Sequence, residues 1–304
     1  MKTPPVLKEN DKIGIIAPAR SISREEIQPA IELFESWGLE VKPGKHIFHS
    51  FHQFAGKDKE RAADLQLFMD NPEIKAIVCA RGGYGTIKLM EYLNFEKFIK
   101  QPKWIIGYSD VTVLHSYINQ KLGIKTLHAT MPLNIKSSSQ DIPAIQLLKK
   151  TLFGKAIEYT FTPSPGSDMP DEITGEITGG NLSVLYSLRG TGFDIETTGK
   201  ILFIEDLDEY LYHIDRMLMN FKHGNKITQL KALLVGGMTD MNDNQTPYGL
   251  NAHDIIKNIT KDYSFPVIFG FPAGHFKNNF PIIMGSEIKI QNAGENKMKV
   301  SFTL

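Results

Sequence analysis

Short apolar runs alternating with amphipathic segments through the first half of the chain limit its fold more than any other feature. Ile13-Gly14-Ile15-Ile16-Ala17 reads as a buried strand stopped by Pro18. Ser23 and Glu26 then form a capping-box pattern. Ile27, Ala30, Ile31, Phe34 and Trp37 follow at helical spacing until Gly38 ends the helix. A second amphipathic helix over residues 61–69 leads to a strand at 76–80, and Trp104-Ile105-Ile106 leads to a helix over 110–120. Strands apolar on both faces and separated by helices predict a parallel sheet covered on both sides.

The texture changes between residues 155 and 171, where Thr160-Phe161-Thr162 runs into Pro163-Ser164-Pro165-Gly166-Ser167. That stretch has no helical period and reads as a linker. Beyond it come a helix near 182–188, a strand at 201–204, a helix near 212–221, a strand at 232–235 and several short β segments. The 304 residues suit two domains. The expectation is an α/β protein: an N-terminal doubly wound, mostly parallel sheet domain (1–155), a linker (156–175) and a C-terminal α/β domain with a mixed sheet (176–304).

Charge and cysteine usage exclude several functions. Thirty-four basic residues balance thirty-four acidic ones, so the basic excess that non-specific phosphate binding needs is missing and no nucleic-acid partner is expected. The single cysteine, Cys79, permits neither an intramolecular disulfide nor a thiolate metal cluster, and within its apolar run it reads as a buried small hydrophobe. Met1-Lys2-Thr3-Pro4-Pro5 has no apolar signal segment, and no run approaches membrane-spanning length. The expected protein is soluble and cytoplasmic, without a membrane partner.

Open α/β sheets bind ligands beyond the carboxyl ends of their strands. Three apolar runs end abruptly in chemistry-bearing residues: Ala80 into Arg81-Gly82-Gly83-Tyr84-Gly85, Ile106 into Gly107-Tyr108-Ser109-Asp110, and Ile204 into Glu205-Asp206-Leu207-Asp208-Glu209. A serine between strand and helix suits a nucleophile, because the turn presents Oγ and the helix amides face an oxyanion; the same position equally suits a helix cap. The Gly-x-Ser-x-Gly elbow is absent, since Val111 takes the second glycine's place. The 81–85 segment can turn backbone N–H groups onto an anion, or be a tight turn needing positive φ. Its spacing fits neither a dinucleotide fingerprint nor a P-loop. The acidic run offers Glu205, nearest the strand end, as the carboxylate to enter a cleft. No histidine pairing accompanies it, so no metal is expected. Among nine histidines, His275 stands out in the loop Phe269-Gly270-Phe271-Pro272-Ala273-Gly274-His275-Phe276, whereas His128 and His213 suit core or cap positions.

These blocks together resemble the LD-carboxypeptidases, a serine-peptidase family that includes murein tetrapeptide carboxypeptidases and microcin C self-immunity hydrolases. The resemblance runs over nearly the whole chain: Gly14-Ile15-Ile16-Ala17-Pro18, the 80–85 and 107–110 blocks, Gly179-Gly180-Asn181-Leu182, Leu202-Phe203-Ile204-Glu205-Asp206, Gly236-Gly237-Met238 and the 270–275 block. It implies Ser109 as nucleophile, His275 as base and Glu205 as the acid orienting it, with Glu209 as the competing acid. It implies backbone N–H groups of Gly83 and Asp110 as the oxyanion hole, in a cleft between the domains. Arg81, Gly82 and Asn181 are the substrate-binding candidates, Arg81 either holding a terminal carboxylate or closing a structural ion pair.

The implied reaction removes a terminal D-alanine from a murein tetrapeptide at the L-centre of meso-diaminopimelate or lysine. It needs no cofactor and no metal, and a homodimer is expected. Two rivals share the pattern: a microcin C-type hydrolase of aminoacyl or peptidyl nucleotides, and a non-catalytic muropeptide-binding module. Trp37 and Trp104 lie in core-like segments, which argues against an indole stacked on a base.

Overall fold

The structure, a computed structural model, describes residues 1–303 and divides into two compact units. The first comprises Met1–Lys155 and Phe280–Met284, the second Ala156–Asn279 and Gly285–Thr303.

In the first unit β1 (Lys12–Ile16), α1 (Arg24–Ser36), β2 (Glu40–Pro43), α2 (Asp58–Asp70), β3 (Ile74–Cys79), α3 (Glu96–Lys100), β4 (Trp104–Gly107), α4 (Thr112–Leu122), β5 (Thr126–His128) and α5 (Pro143–Leu152) follow in order. The sheet order is β2-β1-β3-β4-β5, all parallel, with the short strand Ile282–Met284 antiparallel on β5. Ile13, Ile15, Ile16, Ala76, Ile77, Val78, Ile105 and Ile106 are all buried, as strands covered on both faces require. The capping box forms: Ser23 Oγ accepts from Glu26 N at 3.2 Å, and Glu26 Oε2 accepts from Ser23 N at 2.7 Å. The strand order reverses between β1 and β3, so a doubly wound sheet places its ligand crevice at the residues following those strands. The 81–85 segment begins there. Cys79 is fully buried at the end of β3, and burial pushes its thiol up, away from thiolate chemistry.

The second unit contains β6 (Glu158–Phe161), β7 (Glu172–Asn181), α6 (Leu182–Ser187), β8 (Ile201–Leu207), α7 (Leu211–His223), β9 (Ala232–Thr239), α8 (Ala252–Thr260) and β10 (Val267–Phe269). The chain then supplies the Ile282–Met284 strand, β11, to the first unit before β12 (Glu287–Asn292) and β13 (Met298–Phe302). The seven-stranded sheet runs β10-β9-β8-β7-β12-β13-β6, parallel from β10 to β7 and antiparallel from β7 to β6. Burial follows this division. Residues 201–206 of β8 are buried without a break, whereas β6 and β13 alternate buried and less buried positions. Helices α6, α7 and α8 close one side over a core that includes Leu182, Ile214, Phe221 and Ile256.

Several boundaries differ from the sequence reading, β9 running on from Val235 to Thr239 among them, and two of them bear on the site. Within 156–175, read as linker, Glu158–Phe161 pairs with β13 and β7 already begins at Glu172. The strand read as 201–204 continues through Leu207, so Glu205 and Asp206 lie inside β8. Buried carboxylates persist in a strand when hydrogen-bond donors meet them, and both have donors here.

Candidate functional site

Ser109 follows β4 and opens the turn into α4. Its φ is +63°, the left-handed region that a non-glycine residue enters only when its surroundings impose it. A bare capping serine has no use for that conformation, since cap residues sit in the extended region. A Cβ placed on Gly82 would lie 2.9 Å from both Cβ and Oγ of Ser109 and 3.4 Å from the Asp110 amide nitrogen. Glycine is therefore required at 82 for the 81–85 loop to lie against the serine. Gly83 and Gly85 both have positive φ (+111° and +139°), as the tight-turn reading of this segment required. The turn and the loop that carry Ser109, Asp110, Gly82 and Gly83 thus form one cluster in the first unit.

Arg81 is bound within its own unit, its Nη1 donating to the Ser21 carbonyl at 2.8 Å. It also lines a cavity of about 550 Å³ with Ser21, Arg24, Phe48 and His49. Its partner is a carbonyl, not the carboxylate of an ion pair.

In the second unit, His275 Nδ1 lies 2.6 Å from Oε2 of Glu205, whose side chain is fully buried. The competing acid is engaged elsewhere: Glu209 Oε2 lies 2.5 Å from Nδ1 of His213, one helical turn on. A Cβ on Gly274, whose φ is +129°, would lie 3.0 Å from Glu205 Cβ and 3.0 Å from Gly237 N. The glycine lets the histidine loop lie against β8 and β9, and Gly237 N donates to the Ala273 carbonyl at 3.0 Å. The Gly-Gly and Gly-His blocks singled out in the sequence thus serve one purpose, close approach of the loop to the strands.

Electrostatics follow from this packing. Burial alone would lower the His275 pKa, but the hydrogen bond and charge of Glu205, with the charge of Asp206 added, carry it above its ordinary value. Asp206 is pushed up to about 7 by burial and by its neighbour Glu205, against the hydrogen bonds from Leu207 N and Asn181. Asn181 pairs with Glu205 in the β7–β8 register, donates to Asp206 Oδ1 at 2.9 Å and caps α6 through Oδ1 to Val184 N. Its side chain thus has a structural task in addition to the substrate contact expected of it.

The sequence reading missed the Asp206 network and the buried Arg61. Arg61 shares a buried helical face with Leu65 and Phe68, so its signal was a charge at an apolar position of the repeat. Among the described residues no three His, Cys, Asp or Glu side chains are grouped as metal ligands, and no helix is long and apolar enough to cross a membrane.

With this geometry in view, comparison with known proteins gives a consistent result. The models of the LD-carboxypeptidase N-terminal and C-terminal domains match residues 13–129 and 174–290. Over 294 residues the chain is 36% identical to a probable murein peptide carboxypeptidase of Bacillus subtilis (strain 168), covering 95% of this chain and 92% of the relative. The crystal structure of muramoyltetrapeptide carboxypeptidase from Oxalobacter formigenes matches with a TM-score of 0.86 at 25% identity, over 96% of this chain and 99% of that one. The microcin C7 self-immunity protein MccF, in complex with aspartyl sulfamoyl adenosine, matches with a TM-score of 0.85 at 22% identity over 99% and 98% of the two chains, a likeness of fold alone. The chain is a serine-type carboxypeptidase. It belongs to the LD-carboxypeptidase family.

Proposed function

We propose that this enzyme hydrolyses the amide bond between the L-centre of meso-diaminopimelate, or of L-lysine, and a terminal D-alanine in murein tetrapeptides, with Ser109, His275 and Glu205 as its catalytic residues. The observation that carries this reading is the contact between His275 Nδ1 and the buried Glu205 carboxylate. A carboxylate can only accept, so Nδ1 holds the proton and Nε2 keeps its lone pair for a serine hydroxyl.

In this reading Ser109 Oγ attacks the scissile carbonyl as His275 Nε2 takes its proton. The backbone N–H groups of Gly83 and Asp110 receive the oxyanion. His275 then protonates the departing D-alanine amine, and water, activated by the same imidazole, releases the acyl group from Ser109. Glu205 stabilises the imidazolium at each stage. Each oxyanion donor contributes about 3 kcal/mol to the rate, as removal of one does in other hydrolases. The left-handed backbone at Ser109 supports this assignment, because such conformations concentrate where a fold holds a reactive group in place.

The test is D-alanine release from L-Ala-γ-D-Glu-meso-diaminopimelate-D-Ala by purified protein beside Ser109→Ala, each with and without EDTA. Release that the chelator leaves intact and the substitution abolishes is the expected result. Turnover of an aminoacyl sulfamoyl nucleoside without any tetrapeptide turnover would instead make the microcin-type reaction the correct one. Tight muropeptide binding without turnover would mark a binding module.

A further inference from the structure

Arg61 and Asp110 meet on a single peptide group. Arg61, whose side chain is 1% exposed, donates through Nη1 to the Gly85 carbonyl at 3.1 Å and to the Pro18 carbonyl, and through Nη2 to the Asp58 carboxylate. Asp110, 3% exposed, accepts the Thr86 N–H on Oδ2 at 2.8 Å. The Gly85 carbonyl and the Thr86 N–H belong to the same peptide plane. A buried guanidinium thus holds one edge of that plane and a buried carboxylate holds the other.

We propose that Arg61 and the Asp110 side chain act together as positioning residues, fixing the Gly85–Thr86 peptide so that the 81–85 loop holds its amides in register with Ser109. The inference rests on the catalytic reading above and deepens it. Three observations carry it. First, charge-assisted hydrogen bonds are shorter and stronger than neutral ones, so a peptide gripped at both ends by opposite charges has little freedom to flip. Second, Asp110 contributes to both sides of the arrangement: its own N–H is one of the two oxyanion donors, and its carboxylate ties down the loop carrying the other. Third, the loop passes so near Ser109 and the Asp110 amide that a Cβ on Gly82 would lie 2.9 Å from Ser109 Cβ and Oγ, so the path of the loop and the place of the serine are set together. Burial raises the Asp110 carboxyl, while the hydrogen bonds from Thr86 and the charges of Arg61 and Arg20 favour its ionised form. An oxyanion hole stabilises a transition state only if its donors are already in place, which this peptide clamp provides.

Amide hydrogen exchange on the resting protein tests the clamp independently of any substrate. In Asp110→Ala the 82–86 amides should exchange at least ~10-fold faster, the amides of β4 remaining as in the wild type. Steady-state D-alanine release tests the consequence. Asp110→Ala should lose about 100-fold in kcat with KM within about 3-fold, the signature of an interaction made in the transition state. Asp110→Asn, whose Oδ1 can still accept the Thr86 N–H, should recover most of that loss. Arg61→Lys keeps the charge but has a single nitrogen where Nη1 meets the two carbonyls and Nη2 the Asp58 carboxylate, and should lose about 10-fold in kcat. Should Asp110→Ala not fold, Arg61→Lys carries the test, with Asp110→Asn as the variant that keeps the Thr86 contact. Unchanged exchange at 82–86 in Asp110→Ala or in Arg61→Lys, or a lowered melting temperature in them with kcat per folded molecule unchanged, would overturn the clamp. Absence of turnover in the wild type alongside faster exchange in the variants would overturn the catalytic reading and leave the clamp standing.

Discussion

Glu205 and His275 lie 70 residues apart in the chain, yet their side chains meet at 2.6 Å with the carboxylate fully buried. The pair depends on Gly274, which lets the histidine loop lie against β8, and on β8 continuing far enough to hold Glu205 inside the sheet.

The first prediction concerns the identity of the acid. Glu205→Gln preserves the shape but lets an amide N–H face Nδ1, which favours the wrong imidazole tautomer. In a serine protease the equivalent exchange lowers kcat about 10⁴-fold, and a loss of that order is expected here. Glu209→Gln, which disturbs the His213 pair and only a minor charge effect on Asp206, should leave kcat within about 2-fold. Parallel kcat measurements on the two variants decide between the acids.

With His275 as the proposed base, its titration sets the expected pH dependence. Its pKa is raised in the folded protein, and it must be neutral to act as a base. The rate kcat/KM should therefore fall on acidification, with its midpoint above the ordinary histidine value of about 6.5. Stability moves the other way. The dyad's contribution is fully present below about 6.5 and is lost as pH rises through the folded pKa. Asp206→Asn removes a charge that helps to raise that pKa, so the acid limb of the rate profile should move to lower pH.

Ser109 offers a stability test. Glycine tolerates the left-handed backbone that costs serine about 1 kcal/mol. Ser109→Gly should therefore raise stability by about that amount while abolishing turnover. Urea denaturation of both proteins measures the difference; a destabilised variant would show that the +63° φ carries no strain.

Gly82→Ala puts a methyl 2.9 Å from Ser109 Cβ and Oγ. A loss in kcat far exceeding the effect on stability, itself about 1–3 kcal/mol for an overpacked site, is expected. A drop in stability with kcat per folded molecule retained would show that the serine does not need this contact.

His115 is a buried neutral group behind the turn that carries Ser109. Its Nε2–H donates to the Gly107 carbonyl at 2.9 Å, and Nδ1 accepts from the Thr126 hydroxyl at 2.9 Å. Burial takes its pKa down to about 4, against the hydrogen bond to Gly107. The unfolded chain binds this proton from about pH 6.5 downward and the folded protein does not, so the site loses about 3 kcal/mol of stability between pH 6.5 and 4. His115→Gln removes the titration, and its stability relative to wild type should improve across that window. Parallel urea curves at pH 7 and 4.5 read the difference.

Most central parallel strands were legible because burial on both faces leaves continuous apolar runs, as at Ile13-Gly14-Ile15-Ile16 and Ala232-Leu233-Leu234-Val235, whereas β7, polar and glycine-rich, was not. The strand at Glu158–Phe161 was not, since four alternating residues at a sheet edge look like a loop until the partner β13, distant in sequence, is known. Glu205 and Asp206 were placed beyond their strand because a carboxylate normally ends an apolar run. Here Asn181, Ser183 and His275, all remote in sequence, supply the hydrogen bonds that keep them inside. Chemically marked residues such as Ser109 and His275 stood out by type and context. The left-handed backbone at Ser109 and the Arg61–Asp110 clamp left almost no trace, because both depend on neighbours that only folding supplies.

The most direct measurement is the kcat for D-alanine release by wild type, Ser109→Ala, His275→Ala and the double variant. A nucleophile and a base that act in one step predict a double variant no slower than Ser109→Ala alone, each single loss being about 10⁶-fold as in other serine hydrolases. Losses that multiply, or turnover that survives in Ser109→Ala, would contradict the account.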